Sequence, residues 1–180
     1  SWPNHVLNNH DNRRIATRIH CTDKDEPLKV VAAMLLTLRG TPFLYYGEEI
    51  GMRDIHLRRA ELKDPVGKRF WPLPVGRDGC RSPMQWNWEK NAGFTTGNPW
   101  LKVHPNFISR NVESQKNDPN SLLKFYKALI ALRKSVPALR EGMFLPLHHN
   151  PQKVLAYLRQ TKEQTILVAL NFSRRSAKLA

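Results

Sequence analysis

Residues 26–47, with the sequence EPLKVVAAMLLTLRGTPFLYYG, decide the fold class of this chain of 180 residues. Four apolar residues in this stretch repeat at helical spacing: Leu28, Val31, Leu35 and Leu38. The spacing predicts a helix over residues 26–39, ended by Gly40 and followed by a buried strand over residues 41–46. A helix, a glycine and a buried strand in succession make one step of a parallel sheet. The stretch therefore predicts an α/β fold.

Polar residues follow a short strand upstream of this helix. Residues 6–7 are apolar and predict the strand, and the run NNHD occupies residues 8–11 directly after it. Functional side chains in barrels of alternating strands and helices gather at the carboxyl ends of the strands. Residues 8–11 are therefore the first candidate site.

Downstream of the buried strand the sequence becomes irregular. Residues 48–119 are rich in Gly, Pro, Asn and Trp, and a compact domain rarely keeps so long a loop without a functional reason. A second helix is predicted over residues 121–134, with Asn120 as its cap and Pro137 beyond its end.

From Met143 the apolar period changes to two. Strands are predicted at residues 154–158 and 165–170, with a turn at residues 160–163 between them. This pattern is typical of an antiparallel hairpin. Because two strands alone are only marginally stable, we expect the hairpin to be part of a larger β domain.

The charge of the chain is strongly positive. Twenty-nine Lys and Arg residues against fifteen Asp and Glu give a formal net charge of +14 and a pI near 10.2. Such a pI is typical of nucleic-acid-binding domains, but the basic residues are scattered and no nucleic-acid motif is present. We therefore predict solvated basic faces and no nucleic-acid partner. A second interpretation is that an acidic segment outside this chain balances the charge.

The lengths of the apolar runs and the number of cysteines bear on the cellular location of the protein. No apolar run approaches the roughly 18 residues of a membrane span, and no signal peptide opens the chain. Cys21 and Cys80 are too few for a disulfide framework and form no CxxC pair. We predict free thiols, a cytoplasmic location and no membrane partner. The chain starts Ser1-Trp2-Pro3, so we expect a piece of a longer protein.

Several motifs in a fixed order carry a family resemblance. NNHDNRR occupies residues 8–14, GTPFLYYGEEIGM residues 40–52, and GRDGCRSPMQW residues 76–86, with NAGF at residues 91–94. A lone His-Asp pair is a weak signal, but these motifs together span most of the chain. They resemble the α-amylase family of glycoside hydrolases (family 13), and within it the branch of α-glucosidases and oligo-1,6-glucosidases.

The resemblance implies a (β/α)8 TIM barrel followed by an antiparallel β-sandwich domain. It places His10-Asp11 at the end of barrel strand seven, and the helix at residues 121–134 as barrel helix eight. We therefore expect residues 1–142 to form the end of the catalytic barrel, from strand seven to helix eight. Residues 143–180 are expected to form a partial C-terminal antiparallel β domain.

The resemblance also implies retaining hydrolysis, in which an Asp attacks the anomeric carbon and a Glu acts as acid and then as base. Asp11 matches a third catalytic carboxylate, which holds sugar hydroxyls and stabilises the positively charged transition state. His10 matches a histidine that binds the same glucose. Arg77 matches an arginine that closes the glucose pocket and pairs with an earlier Asp, and Arg14 matches an arginine with an orienting or structural role. The resemblance implies no cofactor.

Two departures from the family pattern limit the expected activity. Asn12-Arg13 stands where this branch often has Gln-Pro, which leaves the linkage preference open. No segment matches those that carry the nucleophile and the acid Glu, so we expect a missing N-terminal barrel segment and an inactive isolated chain. The predicted function is that of a fragment of a retaining α-glucosidase acting on short α-glucosides such as maltose or isomaltose. The alternatives are a glucosyl-transferring relative such as a trehalose synthase, or a non-catalytic α-amylase-like binding module.

Two further groups of residues are considered as ligand-binding groups. His148-His149 has no third ligand at metal-binding spacing, which favours a surface loop and predicts no metal. Four tryptophans could stack on sugar rings, with Trp86 and Trp88 the best candidates: Trp71, Trp86, Trp88 and Trp100. Loop packing is the other interpretation of the four.

Overall fold

The computed structural model describes residues 1–20, 24–147 and 154–177. Cys21 and the pair His148-His149 lie outside the described residues. Within those ranges, no helix has the length and apolar character that crossing a membrane requires. The chain divides into two compact units. The first contains Ser1–His5, Glu26–Phe43 and Phe125–Ala180, and the second contains Val6–Asp25 and Leu44–Lys124.

The helices and strands of the described residues come in a simple order. They are β1 (Asn4–Val6), α1 (Ile15–Arg18), α2 (Glu26–Thr37), β2 (Thr41–Phe43), α3 (Pro65–Arg69), α4 (Val112–Lys116), α5 (Leu122–Ser135), α6 (Pro137–Glu141), β3 (Met143–Pro146), β4 (Val154–Gln160) and β5 (Thr165–Asn171). Several short 3₁₀ helices occur along the chain between β2 and α4.

Helix α2 forms where the apolar spacing predicted it and ends at Thr37, two residues earlier than expected. Its apolar stripe is buried, at Leu28, Val31 and Leu35. Strands β1 and β2 pair with each other. Each is three residues long, so the predicted strand at residues 41–46 is observed only in its first half.

Gly40 links α2 to β2 through a conformation that other residues rarely adopt. Its φ is 138°, and a Cβ at this position would lie 2.5 Å from the Pro3 carbonyl oxygen. The N–H of Thr41 donates to the same oxygen at 2.9 Å. A glycine is therefore required for the chain to pass close to β1 and start pairing with it.

The core of the first unit is formed on the three-stranded antiparallel sheet, whose strand order is β3-β4-β5. Four buried side chains form its centre: Leu139, Tyr157, Val168 and Leu170. Residues of α2, among them Val30 and Met34, pack against this cluster. The Tyr157 hydroxyl lies 2.5 Å from Thr37 Oγ1. The predicted hairpin is thus confirmed as β4 and β5, and α2 covers it.

Two arginines of the first unit bind carbonyl groups around the C-terminal end of α2. Arg133 of α5 donates to three of them, those of Leu36 at 2.7 Å, Leu38 at 3.0 Å and Gly40 at 2.6 Å. Arg159 of β4 donates to the carbonyls of Thr37 at 2.5 Å and Gly142 at 3.0 Å. Burial lowers the pKa of both guanidinium groups. The last carbonyls of a helix lack partners within the helix, and here arginines supply them.

The second unit has its own apolar cluster, formed by Ile50, Met52, Met84 and Leu123. Gln115 is buried beside it; its Nε2 donates to the Ile50 carbonyl at 3.0 Å and its Oε1 accepts from the Leu123 N–H at 3.1 Å. The long irregular segment is therefore ordered by side-chain bonds to the backbone rather than by long helices or strands.

Helix α5 begins one residue later than the sequence predicted. Its cap is Ser121, whose Oγ accepts from the N–H of Lys124 at 3.2 Å, and not Asn120. Both residue types are good caps. Ser121 Oγ also donates to the Gln115 carbonyl at 2.7 Å, a tertiary contact that selects it.

Candidate functional site

A tight polar turn holds the predicted site residues after β1. Asn9 Oδ1 accepts from the N–H groups of Asp11 and Asn12, both at 2.9 Å. Asn8 is buried, and its Oδ1 accepts from the Ile15 N–H at 2.9 Å. The two asparagines thus fix the backbone on both sides of His10. The Asp11 side chain is 50% exposed, so its carboxylate is accessible at this surface of the second unit.

Three basic side chains surround the Asp11 carboxylate. Arg81 Nη2 lies 3.1 Å from Oδ1, and Arg77 Nη1 lies 3.6 Å from the same oxygen. His10 Nε2 lies 3.4 Å from Oδ2. Arg81 Nε also donates to the His10 carbonyl at 2.8 Å. The structure therefore brings together His10, Asp11 and Arg77, three of the four predicted site residues, and adds Arg81.

Arg77 is oriented by a buried carboxylate. Its Nε and Nη2 donate to the two oxygens of Asp64 at 3.2 Å and 3.1 Å, and its backbone N–H donates to Asp64 Oδ2 at 2.8 Å. The Asp64 side chain is only 1% exposed. This bidentate pair fixes the plane of the guanidinium group. Arg77 thus pairs with an aspartate earlier in the chain.

Asp64 is in turn positioned by Asp78. The buried Asp78 Oδ2 accepts from the backbone N–H groups of Lys63 at 2.6 Å and Asp64 at 2.8 Å. The segment that carries Arg77 therefore has two successive carboxylates behind it. Both are shielded from solvent, and neither contacts Asp11.

The Asp64–Arg77 pair predicts an acid-dependent loss of stability. Hydrogen bonds from Arg77 lower the pKa of Asp64 from its ordinary 3.8 to about 2. Because the folded pKa lies below the unfolded one, the stabilisation is present above pH 4 and is lost as pH falls toward 2. It amounts to about 2 kcal/mol at neutral pH.

Asp64→Asn should therefore lower the free energy of unfolding by more at pH 6 than at pH 2.5, as measured by urea denaturation of the chain. Asp118→Asn is the control, since Asp118 is exposed and its Oδ1 accepts from the nearby Asn120 N–H. An equal loss for Asp64→Asn at both pH values would contradict the role assigned to the ion pair.

Arg14 is placed differently from the other predicted site residues. It is 1% exposed. Its Nη1 donates to the Tyr46 carbonyl at 2.7 Å, and its guanidinium lies 4.7 Å from the centre of the Tyr46 ring and 5.1 Å from that of Tyr45. Its backbone N–H donates to Asp54 Oδ1 at 2.9 Å. This placement supports an orienting role through cation–π and hydrogen-bond contacts.

Arg81 is the site residue that the sequence analysis missed. It stands four residues after Arg77, in a 3₁₀ turn over Asp78–Arg81. Arg77 stands directly before this turn and Arg81 is its last residue, and both guanidinium groups of GRDGCRSPMQW approach Asp11. The only available signal was the presence of a second arginine in that motif, and the resemblance assigned a role only to the first.

Metal binding has no support among the described residues. The ranges 1–20, 24–147 and 154–177 contain no group of three or more His, Cys, Asp or Glu side chains that could hold an ion.

The Cys80 thiol is buried and free, and burial raises its pKa. Its Sγ lies 3.4 Å from the His10 carbonyl and 3.1 Å from that of Arg77, so it packs beneath the site.

The chain matches two known protein-family models. Residues 1–142 match the family model described as alpha amylase, catalytic domain, and residues 144–180 match that of the maltogenic amylase C-terminal domain. The fold is accordingly part of the TIM-barrel catalytic domain of that family followed by a C-terminal β-sheet domain.

Individual relatives carry glucosidase names. The chain is 39% identical to a probable oligo-1,6-glucosidase 2 of Bacillus subtilis, over 94% of this chain and 34% of that protein. It is 36% identical to an oligo-1,6-glucosidase of Halalkalibacterium halodurans, over 95% and 34% respectively. The chain thus spans about a third of the length of the curated relatives it matches.

A solved structure gives the same relationship in three dimensions. The isomaltulose synthase of Protaminobacter rubrum superimposes with a TM-score of 0.85 at 35% identity, over 97% of this chain and 35% of that one. The match of the catalytic-domain family over most of the chain, together with these relatives, identifies the family. The chain belongs to the α-amylase family of glycoside hydrolases.

Proposed function

We propose that this chain supplies part of the glucose-binding site of a retaining α-glucosidase that removes terminal α-linked glucose from short α-glucosides. The observation that carries the proposal is the half-exposed Asp11 carboxylate, with Arg81 and Arg77 at one oxygen and His10 at the other. The glucosidase names of the relatives support the substrate class.

In this proposal Asp11 acts on the sugar and the basic residues hold it in place. Its carboxylate accepts hydrogen bonds from glucose hydroxyls, and its negative charge stabilises the positive charge that develops at the anomeric carbon. His10, with a side chain that is 66% exposed, donates to a neighbouring hydroxyl. Arg77 borders the pocket, and Arg14 orients the loop from beneath.

The domain division is proposed on the same basis. We assign residues 1–142 to the catalytic domain and residues 143–180 to the C-terminal β domain. Helices α5 and α6 precede the boundary, and β3 follows it directly at Met143.

A chimeric enzyme tests the function. In it, this chain replaces the matching segment of the Halalkalibacterium halodurans relative, which supplies the remaining two thirds of the barrel enzyme. We expect the chimeric enzyme to release glucose from isomaltose. The 180-residue chain alone should release none, because retaining hydrolysis needs a nucleophile and an acid that its matched motifs do not contain. Turnover by the isolated chain, or a folded chimeric enzyme that cleaves no α-glucoside, would refute the assignment.

Glucosyl transfer is the second candidate function. The observation that favours it is the superposition with an isomaltulose synthase at 35% identity. Incubating the chimeric enzyme with sucrose and separating the products distinguishes the two, since transfer gives a sucrose isomer and hydrolysis gives free glucose and fructose.

A further inference from the structure

A cavity in the second unit is lined by the loop that follows α3, and we call it the loop cavity. Residues 71–75 form an apolar wall, and Leu62 also lines the cavity. Its volume is about 280 Å³, near the lower limit of ligand-binding pockets. Trp71, Leu73 and Val75 are 43%, 59% and 45% exposed. Accessible apolar side chains gathered in one place are typical of a binding surface.

The loop holds its shape through its own backbone. The N–H of Leu73 donates to the Phe70 carbonyl at 2.9 Å, and the N–H of Val75 donates to the Leu73 carbonyl at 2.8 Å. Gly76 has a φ of 108°, and a Cβ at this position would lie 2.8 Å from the Gly67 Cα. A glycine at residue 76 therefore lets the two ends of the loop meet. Because the apolar wall is formed in advance, a ligand orders little of the protein when it binds, which lowers the entropic cost.

The charged groups that the loop cavity presents to a ligand are basic. Its lining contains Arg13, His56 and Arg77 together with Asp54 and Asp78. The side chains of Arg13 and Arg77 are 52% and 42% exposed, and His56 is exposed. Asp54 and Asp78 are only 7% and 2% exposed, and Oδ2 of each already accepts a hydrogen bond. A ligand therefore meets basic side chains rather than carboxylates, which favours an anion.

Arg13 supplies the group that can bind such an anion. Its Nε donates to Asp54 Oδ2 at 3.0 Å, and Asp54 is held in turn by the N–H of Arg14, which donates to its Oδ1 at 2.9 Å. In the part of the chain that the structure describes, Nε is the only atom of the Arg13 side chain with a hydrogen bond. Nη1 and Nη2 therefore remain for a ligand. Two such nitrogens can bind a carboxylate through two parallel hydrogen bonds.

Arg13 is also one of the departures from the family pattern. It stands where this branch often has proline, which offers neither a charge nor a donor. Arg77, the other arginine of the loop cavity, is already engaged, by Asp64 at 3.1 Å and by Asp11 at 3.6 Å. The binding of an anion in the loop cavity therefore falls to Arg13, a residue that gives this chain a feature of its own.

We propose that the loop cavity binds a small apolar monocarboxylate, with its carboxylate on Arg13 and its apolar body against residues 71–75. The apolar body removes the exposed surface of Trp71 and Leu73 from water, and the guanidinium fixes the carboxylate. A bare anion such as acetate leaves the apolar wall uncovered. A neutral apolar molecule leaves the Arg13 nitrogens without a charged acceptor. The proposal goes beyond the sugar-binding role of Asp11 and does not depend on it.

Benzoate is the probe, with acetate and benzyl alcohol as comparison ligands. Each is titrated into the full chain at constant ionic strength and followed by ligand-observed NMR. Benzoate should bind about 10-fold more tightly than either, because each of the others lacks one of the two contacts. Arg13→Gln should remove the advantage of benzoate over benzyl alcohol, and Leu73→Asn should weaken both of these ligands. Arg59→Gln is the matched control, since Arg59 is exposed and lies outside the cavity lining.

The other basic sites of the chain provide the outcomes that would overturn the proposal. Arg81 lines a second cavity, beside Trp86 and other aromatic rings, so Arg81→Gln is measured alongside. If Arg81→Gln removes benzoate binding and Arg13→Gln does not, benzoate binds at that second cavity and the proposal is wrong. The proposal is also wrong if benzoate binds no better than acetate, or if Arg59→Gln weakens benzoate as much as Arg13→Gln, since the net charge of the chain then explains the binding. If Arg13→Gln fails to fold, Leu73→Asn decides, and an unchanged benzoate affinity in that variant contradicts the proposal.

Discussion

Asp11→Asn should reduce kcat of the chimeric enzyme for isomaltose by about 10³-fold, with a much smaller change in KM. Asparagine has nearly the same size as aspartate. The backbone N–H of residue 11, which donates to Asn9 Oδ1 at 2.9 Å, is unchanged by the substitution. The substitution removes the negative charge, and a charge that stabilises a developing cation acts mainly in the transition state. The loss should therefore appear in kcat. Initial rates of glucose release at several isomaltose concentrations provide the measurement.

The neighbouring arginines sharpen this expectation. Without the carboxylate, Arg81 and Arg77 leave an unbalanced positive charge, 3.1 Å and 3.6 Å from the former Oδ1 position. Positive charge beside the anomeric carbon opposes the transition state, so the cost should exceed that of losing a neutral hydrogen bond. Asp118→Asn removes an exposed carboxylate of the same unit and should leave kcat unchanged. A reduction of kcat by less than 10-fold in Asp11→Asn would show that Asp11 is not a catalytic carboxylate.

Local sequence patterns predicted the regular elements well. The apolar spacing of α2 and the two-residue period of β4 and β5 are encoded within each segment, because burial on one face requires that periodicity. The start of α5 was missed by one residue. Ser121 and Asn120 are equally suited to capping, and a contact from Ser121 to the Gln115 carbonyl, invisible in a local pattern, decides between them.

Sequence motifs predicted some residues of the candidate site and missed others. His10, Asp11 and Arg77 were named from the motifs, and the structure brings their side chains together. The contact between Arg81 and Asp11 joins residues 70 positions apart, and no periodicity encodes such a pairing. The tryptophans are a similar case. Trp86 and Trp88 were equally favoured as stacking candidates by residue type, but only Trp86 lines the cavity that it forms with Tyr46, Phe94 and Trp100.

Arg133→Met should lower the free energy of unfolding of the chain by about 3 kcal/mol. The guanidinium makes three hydrogen bonds of 2.6 to 3.0 Å to carbonyls at and beyond the end of α2. Hydrogen bonds to charged groups contribute about 1.5–3 kcal/mol each, and carbonyls left without partners in a buried place add a penalty. The cost of burying the charge, seen in the lowered pKa of Arg133, offsets part of this gain. Methionine keeps most of the apolar stem, so the loss reports the polar contacts.

Lys134→Met is the matched control for this variant. Lys134 follows Arg133 in α5, carries the same charge and is exposed, so its substitution should change stability by less than about 0.5 kcal/mol. Arg133→Lys should recover only part of the loss, because one ammonium group cannot match the planar fork that reaches three carbonyls. Urea denaturation at pH 7 measures all three variants. Equal stability of Arg133→Met and Lys134→Met would show that the carbonyls at this end of α2 find water or other partners, and that the arginine bonds add little to the fold.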